Sequence, residues 1–310
     1  MMEQEQIPPV PKPTLGKKLA DKIDSALKMP DIGENIDSVD KALWPYAWKN
    51  FRKTIVITVV ICAAWILFWA YYYLGIKGQV GKDGGWQFFM PLMAIGVLYA
   101  ILRREVKSQF YRQFALANGF TYARSGYVPG LTGSLFRIGR PHKPEDIVSG
   151  DFAGHPIKLF NYSYTKGSGK HQITYHATVL QITHDHELPP LLLTLDWEYW
   201  GGLSPVFPDA RKISTEGDFD KTFDLYVRQK YEIEALQVFT PDFMEIYRER
   251  WKQFSLDFDG DKIFIYSRNY IVDKKYLQEM YDLARHLINK LEPVLLRMQS
   301  SVNAMNEATK

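Results

Sequence analysis

The chain has 310 residues, 24% of them charged, and a formal net charge of +3. Such a small excess of positive charge, without a dense Lys/Arg stripe, does not indicate a nucleic-acid surface, and we predict no nucleic-acid partner. The single cysteine, Cys62, lies in an apolar run, which excludes a disulfide or a cysteine-based zinc site within one chain.

Residues 1–48 are predicted to form a cytoplasmic N-terminal arm. Ile7–Pro13 is rich in proline and favours an extended tail. Apolar residues then recur every fourth position in the segment Leu15–Leu27, which is typical of a short amphipathic helix. Two interpretations stay open: the helix binds anionic lipid or a partner's groove, or it packs on the chain's own domain or frays.

A transmembrane hairpin is predicted over residues 49–104, with helices at about 54–76 and 85–102. The first segment contains no charged side chain and is long enough to cross the hydrocarbon core. No charged residue falls between Asp83 and Arg103 in the second segment. Its Pro91 is tolerated where neighbouring groups satisfy the freed carbonyl.

Charges at the ends of the hairpin predict its orientation. Three basic residues precede the first helix and three follow the second, whereas the connecting loop Lys77–Asp83 holds two Lys and one Asp. The positive-inside rule therefore places both termini in the cytoplasm of a multi-pass protein of the inner (cell) membrane. The basic residues after the second helix are also candidates for contact with anionic lipid head groups: Arg103, Arg104 and Lys107.

Residues 105–298 are predicted to form a cytoplasmic α+β domain with a mainly antiparallel sheet, and residues 299–310 a disordered tail. The helix after Leu102 is expected to continue from the membrane into this domain. Asp259-Gly260-Asp261 favours a tight hairpin turn. The predicted strands are Phe120–Arg124, Ser134–Ile138, Asp146–Phe152, Ile157–Tyr164, Gln172–Thr183, Leu191–Leu195, Phe254–Asp259 and Lys262–Ser267.

The last predicted helix, from about Asp273 to Met298, carries one long apolar stripe. The stripe has two interpretations, since it can pack on the sheet of its own domain or pair with a copy of itself. The second would make the chain a structural oligomer.

His184-Asp185-His186-Glu187 is the best metal-like cluster. In a strand, residues i and i+2 share a face, so His184 and His186 could bind one ion. A polar, solvated loop before Pro189-Pro190 explains the same residues. The sequence contains no recognised catalytic or cofactor-binding motif, and we predict no catalytic residue and no cofactor.

Aromatic residues in the segment Trp197–Gly202 are candidates for contact with a protein partner: Trp197, Tyr199 and Trp200. Aromatic side chains dominate the energetics of many interfaces, although these three could equally belong to the core.

Several short runs of aromatic and turn residues form a pattern along the chain: Phe114-Ala115 with Gly119–Tyr122, Ser134–Phe136, Tyr162–Tyr164, Glu216–Phe219 with Phe223–Tyr226, and Glu234–Gln237 before Thr240–Met244. Together these runs resemble a bacterial membrane-protein family catalogued as domain of unknown function 3137. The resemblance covers about Arg103 to Leu291 and the preceding hairpin, and leaves out the proline-rich arm. It implies a bacterial, membrane-anchored domain that faces the cytoplasm, and it supplies no catalytic residue.

The leading functional hypothesis is a membrane-anchored interaction or scaffold module without evident catalysis. Its expected partners are the lipid bilayer and a protein, either a different one or a second copy of the chain. The alternative is a membrane-associated enzyme, or a small-molecule or lipid sensor, with a metal at His184 and His186.

Overall fold

The computed structural model describes residues 38–73, 89–195, 202–215 and 219–308, with the backbone alone for 292–308. The predicted helix at Leu15–Leu27, the connecting loop Lys77–Asp83 and the candidate contacts Trp197, Tyr199 and Trp200 lie outside these residues.

Helix α1, Val39–Tyr71, has two halves that meet at Phe51, whose φ of −122° and ψ of 16° break the helical geometry. Before this kink, Val39, Leu43 and Ala47 recur every fourth position and are buried in the core of the protein. Beyond it, most large apolar side chains are exposed. Within the described residues, α1 is the helix that is long and apolar enough to cross a membrane.

Helix α2, Phe89–Ala117, is continuous from an exposed apolar half into the core of the protein, as the sequence predicted. Val106, Phe110 and Phe114 are almost completely buried. The helices α1 and α2 contact each other, and the Cys62 thiol lies 3.9 Å from the carbonyl of Pro91.

A ten-stranded antiparallel sheet follows the two helices. Its strand order is β1-β3-β4-β5-β10-β9-β6-β8-β7, and β2 pairs with β4. The strands are β1 Thr121–Ser125, β2 Arg140–Pro141, β3 Glu145–Phe152, β4 His155–Lys166, β5 Ile173–Thr183, β6 Leu191–Leu195, β7 Ala210–Ile213, β8 Phe223–Arg228, β9 Phe254–Asp259 and β10 Lys262–Ser267.

The tight turn between β9 and β10 forms where the sequence predicted it. Asp259 pairs with Lys262, so Gly260 and Asp261 are the two turn residues. Gly260 has a φ of +61°, which a residue without a Cβ adopts at little cost.

Helices cover one face of the sheet. They are α2, α3 (Glu232–Val238), α4 (Pro241–Ile246) and α5 (Lys274–Ala308). Eight α5 residues between Leu277 and Leu291 are buried in this layer. The other face packs under irregular segments that contribute Val128, Leu135, Leu203 and Phe207. Helices on one face of an antiparallel sheet make the fold α+β.

Three differences from the sequence prediction concern local structure. Ser134–Arg137 is a 3₁₀ turn rather than a strand, because Phe136 turns inward against four aromatic rings of the sheet. The strands β2, β7 and β8 were not predicted. The helical backbone of α5 extends to Ala308, beyond the expected end near Met298.

Candidate functional site

A cavity of 760 Å³ lies where the first residues of α1, the middle of α2 and the segment before α5 meet. Its walls divide into an apolar part and a polar part. The apolar part is Val39, Tyr99, Ala100 and Val272, and the polar part is Arg103, Arg104, Lys107, His176, Asn269 and Tyr270.

Backbone hydrogen bonds hold the segment before α5 in the wall of this cavity. The N–H of Val39 donates to the carbonyl of Val272 at 2.8 Å, which fixes the start of α1. Asn269 has a φ of +64°, and its N–H donates to the carbonyl of His176 at 3.1 Å. These bonds fasten α1 and β5 to the segment before α5, so three of the four elements that line the cavity are joined to one another.

The two arginines at the cavity are half-exposed and each pairs with one acid. Arg103 lies 3.2 Å from Asp40 and Arg104 lies 2.7 Å from Glu145. Their side chains are 48% and 59% exposed. Ion pairs this exposed contribute at most about 1 kcal/mol, so the guanidinium groups stay available to another anion.

Lys107 has a different environment from its two basic neighbours. Its side chain is 9% exposed, and its ammonium lies 3.6 Å from Glu145 and 3.4 Å from the buried Asp146. The same ammonium sits 4.0 Å from the ring centre of Tyr270, at cation–π distance. Lys107 thus lines the cavity while its charge is engaged by the protein interior.

A buried polar network continues from Lys107 and links α2 to the sheet. Asp146 accepts hydrogen bonds from the Ser108 hydroxyl at 2.7 Å, the Tyr122 hydroxyl at 3.0 Å and the Asn161 amide at 3.1 Å. Each donor comes from a different element, namely α2, β1 and β4.

Tyr111, one turn further along α2, extends this network towards the cavity. Its hydroxyl donates to the carbonyl of Ile271 at 2.8 Å and lies 3.1 Å from the side-chain oxygen of Asn161. Because satisfied buried polar groups fix geometry, the network holds α2 in one orientation on the sheet.

The imidazole of His176, in the polar part of the cavity wall, has a lowered pKa. Burial lowers the pKa of its imidazole, and the positive charge of Lys107 lowers it further. The ring lies 4.8 Å from that of Tyr270. At pH 7 this imidazole is therefore neutral, and one ring nitrogen can donate a hydrogen bond.

Exposed apolar side chains occupy α1 beyond its kink and α2 ahead of the cavity. They include Val56, Ile57, Val59, Val60, Ile61, Leu67 and Phe68 on α1, and Phe89, Leu92, Met93, Val97 and Ile101 on α2. A contiguous apolar surface of this kind marks a contact with a membrane or with another protein. On α2 the surface ends at Ile101, directly before Arg103 and Arg104.

The histidines proposed as metal ligands lie at the end of β5, next to a third histidine. The rings of His184 and His155 stack with centres 4.8 Å apart, and that of His186 lies 5.7 Å from His184. His184 Nδ1 accepts the His186 backbone N–H at 3.1 Å, which leaves Nε2 as its free ligand atom. Among the described residues, no three potential ligands are arranged to hold a metal ion. A metal at His184 and His186 stays a prediction.

Arg103, Arg104 and Lys107 are brought together at the cavity, and sequence reasoning named all three. It missed Val39, Tyr99, His176 and Tyr270, which also line it. No local pattern connects these residues, because they come from distant parts of the chain that meet only in the folded protein.

The sequence matches no protein-family model and no curated protein, so membership of the family it resembles stays a prediction. Part of the fold is similar to the crystal structure of the mycobacterial trehalose monomycolate transport factor A. The two chains are 12% identical, with a TM-score of 0.43, over 60% of this chain and 94% of the other. We draw no functional conclusion from a likeness at this level.

Proposed function

We propose that the chain is a two-pass membrane protein that holds its sheet domain against the cytoplasmic face of the bilayer as an interaction module. The observation that carries this proposal is the continuity of α2. One helix presents apolar side chains to its surroundings over Phe89–Ile101 and is buried in the domain core from Val106 onwards. A domain attached in this way has a fixed height and orientation relative to the bilayer.

The surroundings of the kink support an interfacial position for the first half of α1. Trp44 and Trp48 are 62% and 52% exposed and lie one turn apart. Tryptophan is enriched at membrane interfaces, where an apolar ring and a polar N–H are both accommodated. The Arg52 guanidinium lies 5.5 Å from the Trp48 ring centre, so a positive charge lies next to the exposed tryptophans.

A patch on α3 is the proposed contact for a protein partner, together with Trp197, Tyr199 and Trp200 from the sequence. Ile233 and Leu236 are both exposed and lie three residues apart, so they share one face of the helix. These apolar side chains are distant in sequence from the two apolar helices, and a second interaction surface explains them.

Membrane topology is tested by labelling single cysteines with a membrane-impermeant maleimide. In a Cys62→Ala background, Gly81→Cys reports on the connecting loop and Asp151→Cys on the exposed side of β3. We expect Gly81→Cys to react in spheroplasts and Asp151→Cys to react only after permeabilisation. Equal labelling of both positions before permeabilisation contradicts the two-pass arrangement.

The interaction module is tested by native mass spectrometry on the full-length protein after gentle extraction. We expect a stoichiometric protein partner or a defined homo-oligomer, and loss of it in Ile233→Glu. Ile173→Glu is the matched control, since Ile173 is also exposed, at the start of β5. A monomer without partner, carrying a metal or a small molecule, contradicts the proposal and favours an enzyme or sensor.

A further inference from the structure

We propose that the cavity between α1, α2 and the segment before α5 binds the phosphate-bearing head group of a phospholipid from the surrounding bilayer. This inference rests on the proposed membrane function and adds a ligand to it. Arg103 and Arg104 contact the phosphate, and the wall formed by Tyr99 and Ala100 contacts the glycerol end of the acyl chains.

The position of the cavity along α2 suits a lipid ligand. Its wall on α2 runs from Tyr99 to Lys107 and therefore spans the point at which the exposed apolar surface ends and the charged residues begin. A phospholipid changes from apolar to charged over the same short distance. A ligand seated here has its acyl chains beside Ile101 and its phosphate beside the arginines.

The donors available at the cavity match a phosphate. A guanidinium carries five N–H donors in a planar fork that suits phosphate oxygens. Arg103 directs two of them, on Nε and Nη2, to one oxygen of Asp40, and Arg104 directs one to Glu145. Both arginines line the cavity, whereas their partners Asp40 and Glu145 are not among its lining residues.

Lys107 supports the site from within and does not contact the phosphate in this proposal. Held by Glu145 and Asp146, its ammonium fixes the helix that carries both arginines. His176, neutral and beside Tyr270, contributes a ring N–H rather than a charge. The site therefore recognises the phosphate that anionic and zwitterionic phospholipids share.

The size of the cavity also suits one head group. A volume of 760 Å³ lies within the range of small-molecule sites, about 300–1,000 Å³. The apolar part of the wall gives the glycerol and the first methylene groups a surface to contact. A free phosphate ion leaves this part of the wall uncovered, so the cavity suits a phospholipid better than the free ion.

The test compares lipid retained by the full-length protein and by two variants of α2, using native mass spectrometry in detergent. Ala100→Phe fills the cavity without changing any charge. Ala94→Phe makes the same change on the same helix at an exposed position that does not line the cavity. Each protein is offered phosphatidylglycerol, phosphatidylethanolamine or diacylglycerol, and unchanged thermal unfolding shows that the variants are folded.

We expect both phospholipids to be retained by the wild-type protein and by Ala94→Phe, and retention to fall about tenfold in Ala100→Phe. Diacylglycerol, which lacks phosphate, is expected to be retained about tenfold less than either phospholipid. Equal retention of diacylglycerol, or full retention by Ala100→Phe, overturns the proposal. Displacement of lipid by an equal concentration of inorganic phosphate also overturns it, because the ligand is then the free ion.

Residues 1–37 are the competing occupant, since they precede Val39, which lines the cavity, by one residue in the sequence. Deletion of residues 1–37 is expected to leave phospholipid retention unchanged. A tenfold rise on deletion shows that the arm fills the cavity and overturns the proposal. The cysteine-labelling test on the same variants keeps the two proposals separate: correct topology without retained lipid contradicts only the lipid site.

Discussion

Lys107 and Asp146 form the innermost ion pair of the helix–sheet junction. Asp146 is almost completely buried, and its two oxygens receive four groups: Ser108 and Tyr122 on one, Asn161 and Lys107 on the other. A buried pair is worth little relative to apolar residues of the same shape, but removal of one partner leaves the other charge uncompensated.

Asp146→Asn is expected to destabilise the protein by about 1–3 kcal/mol, because the acceptor loses its charge while Glu145 still pairs with Lys107. The amide keeps one accepting oxygen, so the two donors that meet its N–H₂ group lose the carboxylate oxygen that now accepts from them. Thermal unfolding of the full-length protein in detergent measures the effect. Asp151→Asn, an exposed change on the same strand, is the control and is expected to stay within about 0.5 kcal/mol of wild type.

Asp257 lies on the opposite face of the sheet, under the loop that contains Ser134. Burial raises the pKa of this carboxyl to about 6, although the Ser134 N–H and the Tyr266 hydroxyl donate to its Oδ2. Its Oδ1 has no hydrogen-bond partner among the described residues. Since the folded state binds this proton more tightly than the unfolded state, protonation stabilises the fold.

The stabilisation from Asp257 is complete below pH 3.8, the ordinary pKa of the side chain, and is lost as the pH rises through about 6. Asp257→Asn keeps an oxygen for both donors and removes the charge. We expect this variant to be more stable at pH 7.5 by about 1–3 kcal/mol and to lose this part of the pH dependence between pH 4 and 6. Melting temperatures across that range measure both effects, and an unchanged pH profile contradicts the assignment.

At the scale of elements, the 3₁₀ turn Ser134–Arg137 depends on the residue before it. A Cβ at Gly133 would overlap the Tyr266 hydroxyl and approach Asp257 Oδ2 to 2.9 Å. Glycine is required at position 133 because the loop approaches the sheet closely. Backbone strain is not the reason, since the φ of −58° is open to other residues.

Gly133→Ala is expected to lift this loop and destabilise the protein by about 1–3 kcal/mol, the usual cost of overpacking. Gly126→Ala is the matched control, since its Cβ would lie 3.4 Å from the nearest atom, in ordinary contact with Ile147. Unfolding temperatures compare the two variants. Equal stability of both would show that the loop yields without cost.

Elements with a strong local pattern could be predicted from the sequence. Strands β6, β9 and β10 have the expected bounds, because turn residues and apolar runs define them locally. Buried and half-buried positions also alternate in β8, and an alternating pattern of this kind is typical of a strand. The strand predicted at Ser134–Ile138 was wrong, because Phe136 packs against the sheet from a turn and not from a strand.

Features that depend on distant residues could not be predicted. The kink at Phe51 has neither glycine nor proline at its position and lies where α1 leaves the core of the protein. Likewise, Asp146, Asn161 and His176 become neighbours of α2 only through strand pairing. The basic residues of the cavity could be predicted, because they directly follow the predicted second membrane segment. The residues of the opposite wall could not, because no local pattern in the sequence marks them.

At the scale of the whole molecule, α2 joins an exposed apolar segment to the core of the sheet domain. Its second half contributes Phe110, Tyr111 and Phe114 to the main core, where they contact residues of the sheet and α5. The boundary between the exposed apolar half of α2 and the sheet domain therefore falls within a helix and not in a linker, near Leu102.

This boundary predicts which fragments fold. Residues 102–310 retain the buried half of α2 but lack the core contacts of Val39, Leu43 and Ala47, and they are expected to unfold cooperatively in urea with reduced stability. Residues 119–310 also lack the buried half of α2 and expose the core face that Phe110, Tyr111 and Phe114 cover; each such aromatic contributes about 3–5 kcal/mol when truncated to alanine. Together these losses are comparable to the whole stability of a domain, about 5–15 kcal/mol, so the shorter fragment is expected to show no cooperative transition. Circular dichroism during urea titration compares them. A cooperative transition of residues 119–310 at the same midpoint would show that the domain folds without α2, and the proposed rigid connection to a membrane would then lack its physical basis.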